Sequence, residues 1–136
     1  MLAIVALLAS FAPRSKSRPV AWRALPVGPL VITFQKRRLF RSRPQLASFL
    51  TRTGVDRVPK VDFSTRQLLL VTTGPRSSSG YAIDVLGASE KEGKITVKVR
   101  ERTPGLGTRV DPHVTYPYRL ISLPAGEDVF VDWVGR

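Results

Sequence analysis

The chain is expected to be mainly β: an antiparallel β-sandwich or partly closed barrel of about seven strands with one short helix, at about residues 43–53. Three observations predict this. In the second half, short runs alternate apolar with polar residues, as strands with one buried face do. Clusters of Gly, Pro and Ser separate those runs, and such short connections imply mostly antiparallel pairing. Only the stretch after Ser42 carries apolar residues at helical spacing over a capped segment.

Leu2–Ala12 is almost wholly apolar (LAIVALLASFA). It is too short for a bilayer span of roughly 20 residues but matches a signal-peptide core of about 7–15. Ser10-Phe11-Ala12 offers the small-x-small pattern for cleavage after Ala12. Against this, no basic residue precedes the run and Pro13 would follow the cut; a start further upstream would supply the basic region. The competing reading is a first buried strand or helix turn, which the polar RSKSR that follows disfavours. Residues 1–12 are therefore read as a signal peptide or truncated signal, 13–18 as a linker, and 19–136 as one β-rich domain.

Val20–Leu25 reads as a strand with Val20 and Trp22 on one face, closed by Pro26 and Gly28. Leu30–Gln35 alternates, with Leu30, Ile32 and Phe34 inward, and runs into KRRLFRSR. Ser42 is placed to cap a helix, with Pro44 in its first turn and Gln45 completing a capping box. Leu46, Phe49 and Leu50 form its apolar stripe and Gly54 its stop. Gln67–Thr72 holds a continuous apolar run, the mark of a strand buried on both faces. Tyr81, Ile83 and Val85 share one face of the next strand, opposite Ala82, Asp84 and Leu86. The EKEG turn leads into Lys94–Arg102, whose outward charges guard it against edge pairing. Tyr118–Leu123 and Val129–Val134 supply the last two strands.

Length and charge bound the function. A chain of 136 residues has room for one domain of the common size, about 100–150 residues, and 43% hydrophobic residues are enough for a core. The absence of cysteine excludes a disulfide framework, a Cys-ligated zinc site, a cysteine nucleophile and a lipid-modified cysteine. The net charge of +12 is uneven: residues 1–60 hold twelve Lys or Arg against Asp56 alone, whereas the remainder is nearly neutral. Such asymmetry reads either as a basic surface for an anionic partner or as a solvated face. Its densest part, Lys36, Arg37, Arg38, Arg41 and Arg43, is the candidate anionic-surface contact. Nucleic acid is a disfavoured partner, because Phe40 is the one aromatic in that run and no base-reading platform is evident.

No catalytic set emerges. His113 is the single histidine, and Ser77, Ser78 or Ser79 with Asp111 or Asp62 lack the local signature of an activated nucleophile. The acids have neither paired-carboxylate nor calcium-loop spacing, and TGPRSSSG lacks the GK[ST] ending of a phosphate-binding loop. The expectation is no enzyme activity, no cofactor and no metal. GPRSSSGY and TYPYRL remain as the candidate partner-binding surface. Arg76, Ser77, Ser78 and Ser79 lie in a polar loop, Tyr81 at its base, and Tyr116 and Tyr118 point the same way if the chain is extended. The alternative is a set of hairpin turns with tyrosines closing the core edge.

At these residues the chain resembles the protease complex subunit PrcB family, in its C-terminal domain. The resemblance covers residues 61–133 through VDFS, GPRSSSGYAIDV, KITVKVRERTPGLGT, TYPYRLISLP and VFVDW. It implies a secreted or envelope-associated, non-catalytic protein whose partner is another protein, in the founding case the protease of an extracellular complex. A fainter similarity links GPRSSSGY, TPGLGT and TYPYRL to chagasin-like inhibitors of papain-type proteases, which present three loops from a β-sandwich. Here the leading Asn and the Thr pair of their first loop are replaced, and their Arg-Pro-Trp motif is missing. Three readings stay open: an exported protein-interaction domain, a protease inhibitor, and a basic protein binding nucleic acid or an anionic surface.

Overall fold

Seven of the eight residues from Arg66 to Thr73 are buried, and this strand sets the layering of the domain. The computed structural model describes residues 16–33 and 35–135, with Lys36 described by its backbone alone. The predicted signal segment, the first half of the linker (residues 13–15) and Phe34 lie outside the described residues. The strands are β1 (Arg18–Pro19), β2 (Arg23–Ala24), β3 (Gln35–Phe40), β4 (Arg66–Thr73), β5 (Ala82–Lys91), β6 (Lys94–Arg102), β7 (Tyr118–Pro124) and β8 (Asp128–Trp133), with helix α1 (Arg43–Arg52) after β3. They form two four-stranded sheets, in the orders β1-β5-β6-β8 and β2-β7-β4-β3. The mainly β expectation holds, and of its two forms the sandwich is the one adopted.

The run LLLV is continuous because both faces of β4 are covered. Leu69 and Val71 face the other sheet, in a core with Ile83, Ile95, Val97, Val99, Ile121 and Leu123. Leu68 and Leu70 face away from it, toward Phe40, Leu120 and the α1 residues Leu46, Phe49 and Leu50. Three layers result: sheet, sheet, and helix with the 25–32 segment. Gln67 is 1% exposed and satisfied: its amide donates to the carbonyls of Pro124 and Glu127 at 2.9 and 3.0 Å. Those bonds hold the β7–β8 turn to the start of β4.

Helix α1 begins as its sequence dictates. Ser42 Oγ accepts from Gln45 N–H at 3.4 Å, and Gln45 Oε1 accepts from Arg41 N–H at 2.9 Å, one residue before the usual capping-box donor. Alone a helix this short is marginal in water, so the docking of its three buried residues on sheet β2-β7-β4-β3 holds it.

Three element expectations are corrected. Val20–Leu25 is not one strand: Val20 N–H bonds Ala88 O at 2.9 Å and Leu25 N–H bonds Leu120 O at 2.8 Å, so the chain changes sheets between them. Leu30 and Ile32 are buried at 3% and 5% exposure, as their alternation implied, but join no ladder. Their segment lies across the face of the sheet, and the edge position belongs to the basic stretch Gln35–Phe40, paired antiparallel with β4. In β5 the register shifts between Val85 and Gly87, so the bulge extrudes Leu86 to 46% exposure and brings Ala88 inward. One pairing, β6 with β8, is parallel, because β7 crosses to the other sheet between them.

Leu70→Ala, in the central strand, should lower stability by about 2–5 kcal/mol, measured by urea unfolding. An unchanged midpoint would refute the two-sided burial of β4.

Candidate functional site at the crossover loops

Two connections pass between the sheets at the same end of the sandwich. β4 leaves one sheet for β5 through residues 74–81, and β6 returns to β7 through residues 103–117. The pairs Thr72↔Tyr118 and Ala82↔Arg102 place both loops at that end. Most connections in compact domains are about 4–6 residues long, and a loop as long as 103–117 is commonly functional.

The loops are stitched to each other. Arg76 and Thr115 exchange both backbone hydrogen bonds, at 2.8 and 2.9 Å. Thr115 Oγ1 donates to Ser78 O at 2.8 Å, Asp111 N–H donates to Ser79 Oγ at 2.8 Å, and Ser79 N–H donates to Asp111 O at 3.0 Å. Gly80 has φ +94°, and a Cβ there would stand 3.0 Å from Pro104 Cβ and 3.1 Å from Val110 Cγ1. Glycine is needed twice over, for the backbone conformation and for the close approach of the second loop. The polar loop read from the sequence is thus a cross-braced one.

Arg76 is committed within the fold. Its guanidinium grips Glu101 with a two-pronged ion pair, Nε to Oε2 and Nη2 to Oε1, the latter at 2.9 Å. The side chains are only 26% and 14% exposed, so solvent screens the pair less than it would a surface pair. The hydrogen bond with Glu101 raises the pKa of Arg76 above the ordinary arginine value, against the opposing effect of burial. Tyr81 is a further electrostatic neighbour. Ser77 is exposed, and Tyr116, next to Thr115, is half-buried. Tyr118 departs from this group: its hydroxyl donates to Gly28 O and its ring packs with the helix-side core. Burial raises its pKa above the usual tyrosine value.

His113 is exposed; its backbone N–H bonds Asp111 O at 2.9 Å, and among the described residues no hydrogen bond joins its ring to Ser77, Ser78 or Ser79. Among the described residues no group of three or more His, Asp or Glu gathers where it could hold a metal ion, and no helix is long and apolar enough to cross a membrane.

The basic run does not converge on one surface. Lys36 pairs through its backbone with Thr72. Arg37 and Arg38 fall on opposite faces of β3 by strand alternation. Arg37 donates to Val129 O and lies 5.8 Å from the Phe130 ring centroid, while Arg38 lies 5.3 and 5.5 Å from the rings of Phe40 and Phe49. Arg41 Nε reaches Gln67 Oε1 at 3.4 Å, and Arg43 is exposed at the start of α1.

Two residues of the loop end escaped the sequence reading. Leu106 is fully exposed (108%) at the tip of a turn closed by Thr108 N–H to Gly105 O at 3.1 Å, and Val114 is 55% exposed. The signal was the pattern Gly-Leu-Gly: flanking glycines have no side chains with which to shield the leucine.

Gly80→Ala should cost about 1–3 kcal/mol and speed proteolysis within residues 103–117, read by urea unfolding and mass mapping of a limited digest. Wild-type stability and cleavage in that variant would refute the close approach of the loops.

Comparison with known proteins follows the same boundaries. No curated protein and no solved structure matches the chain. The family model described as PrcB C-terminal matches residues 68–124, from the first leucine of β4 to the end of β7, a narrower span than the sequence motifs marked. Both crossover loops fall inside that match, which is to the family that the sequence motifs resemble and supports that resemblance.

Proposed function

We propose that this chain is a non-catalytic, exported protein-interaction domain that serves as an accessory subunit of an extracellular protease complex. Its contact surface is the crossover-loop end. The observation that supports this best is the pairing of a braced loop scaffold with a bare apolar residue, Leu106, at its outermost turn. Binding orders flexible loops at a cost, and braces such as Arg76–Thr115, Ser79–Asp111 and Arg76–Glu101 remove much of it beforehand. A large apolar side chain held in water gains most when a partner's pocket takes it up. Val114 adds apolar area on the same loop, Ser77 an exposed polar contact, and the PrcB C-terminal match supplies the protease-associated context.

The same placement of GPRSSSGY, TPGLGT and the start of TYPYRL at one end favours a second reading, in which the domain blocks a papain-type protease. One series of measurements separates the two. The tagged chain, mixed with culture medium and envelope extract from its source cells, should capture a protease identified by mass spectrometry. Leu106→Asp should reduce that capture roughly tenfold while changing stability by less than about 0.5 kcal/mol. A captured protease whose activity is retained or raised supports the accessory role; stoichiometric loss of activity supports the inhibitor. Equal capture by Leu106→Asp would discard the loop end as the contact. Recovery of nucleic acid alone, lost steeply with salt, would replace both readings. Export is tested by N-terminal sequencing of the protein from medium and envelope, and an intact Met1 found only in the cytosol would overturn it.

A further inference from the structure

On the flank of the sandwich two cavities adjoin along the segment Arg23–Pro26 and share Leu25 as a wall. One, about 390 Å³, is mostly apolar, formed by Ala24, Leu25, Pro26, Tyr118 and Leu120 with Arg119 beside them. The other, about 320 Å³, is cationic, with Arg23, Lys60 and Arg66 around it. We propose that this trough binds an extended acidic segment of a protein partner, one apolar side chain entering beside Tyr118 and the following carboxylates meeting Arg23, Lys60 and Arg66. The site does not depend on the crossover-loop contact and stands whether or not that contact does.

Charge complementarity selects an acidic occupant. Among the described residues the salt bridges involve Arg18, Arg76 and Arg102, so Arg23 and Lys60 face solvent without an acidic partner. Arg66 is held in place by Nε to Ser122 Oγ at 2.8 Å and by Nη2 to Ser122 O at 3.0 Å and Ala21 O at 3.5 Å, and among the described residues Nη1 makes no hydrogen bond. Such an anchored guanidinium loses little further freedom on binding a carboxylate. The one acid at the trough, Asp62, is engaged by Ser64 through its N–H at 3.0 Å and its hydroxyl. Three cations therefore line the trough against one carboxylate, which leaves an excess of positive charge there.

Backbone geometry selects an extended peptide. β2 pairs with only Ser122 and Ile121 of β7, and Leu25 N–H to Leu120 O is the last rung. Beyond it β7 continues to Tyr118 with β4 on one side and no strand on the β2 side, and Tyr118 O receives only a long 3.4 Å bond from Arg119 Nη1. A peptide N–H can replace that bond and extend the sheet edge, as in strand addition. An inorganic anion would leave the apolar half of the trough unused. A nucleic-acid strand would meet a single aromatic ring whose hydroxyl is already tethered to Gly28.

The test uses the full chain and three fluorescein-labelled peptides: Gly-Ser-Leu-Glu-Glu-Ser-Gly, the same with Gln for both Glu, and the same with Ser for Leu. The leucine-diglutamate peptide should bind roughly tenfold more tightly than either control, by fluorescence anisotropy. The double variant Arg23→Glu, Lys60→Glu should lose roughly tenfold, with an unchanged circular dichroism spectrum and melting temperature. Leu106→Asp should bind the peptide as wild type does, which separates this site from the loop contact. Equal binding of the glutamine or serine peptide, full retention by the charge-reversed variant, or no binding up to about millimolar peptide would each overturn the proposal. Tighter binding of single-stranded DNA or polyphosphate than of any peptide would overturn it as well.

Discussion

Burial of β4 on both faces is the constraint to which the other elements answer. A strand reading Gln-Leu-Leu-Leu-Val has no side to turn toward water, so it needs a second sheet on one face and a further layer on the other. The first requirement brings β5, β6 and β8 over it. The second brings a helix too short to stand alone, together with Leu30 and Ile32 laid across the sheet. Because β4 and β7 lie in one sheet and β5 and β6 in the other, the chain must cross twice at the same end. The candidate loop surface is a consequence of those crossings.

Arginine does much of the fastening. Arg37 reaches across from β3 to the Val129 carbonyl on β8, the neighbouring edge of the other sheet. Arg66 ties β4 to Ser122 of β7, Arg76 locks the first crossover loop to the end of β6, and Arg38 covers the Phe40–Phe49 pair. A planar fork with five N–H donors suits these tasks in a way that a lysine ammonium does not. Four arginines are thereby committed to acceptors and rings of the fold itself, so net charge alone does not mark a binding face. The cations left over, Arg23 and Lys60 among them, are those whose surroundings offer no such partner.

How far the sequence could be read varies by element. The helix was legible to within a residue, since its cap, its proline and its apolar stripe are local features. β6 was legible over its full length, because alternation with outward Lys and Arg belongs to a half-exposed strand. Leu30–Gln35 misled because an alternating segment laid on a sheet face has the same pattern as a strand within a ladder. In the candidate site, the loops and their glycines were visible in the sequence. The roles of Arg76, Ser78 and Ser79 as braces were not, since Glu101, Thr115 and Asp111 are 25, 37 and 32 residues distant along the chain.

What the sequence determined by itself is therefore what short-range patterning can encode: a mainly β chain, one capped helix, a doubly buried central strand and turns at the right places. The tertiary structure alone decided which charges are free. Whether an arginine is a brace or a ligand contact depends on the acceptor that folding brings within about 3 Å of it. Neighbours in sequence do not specify that acceptor. The same holds for Leu106, whose exposure follows from standing at the tip of a turn that the rest of the domain never covers.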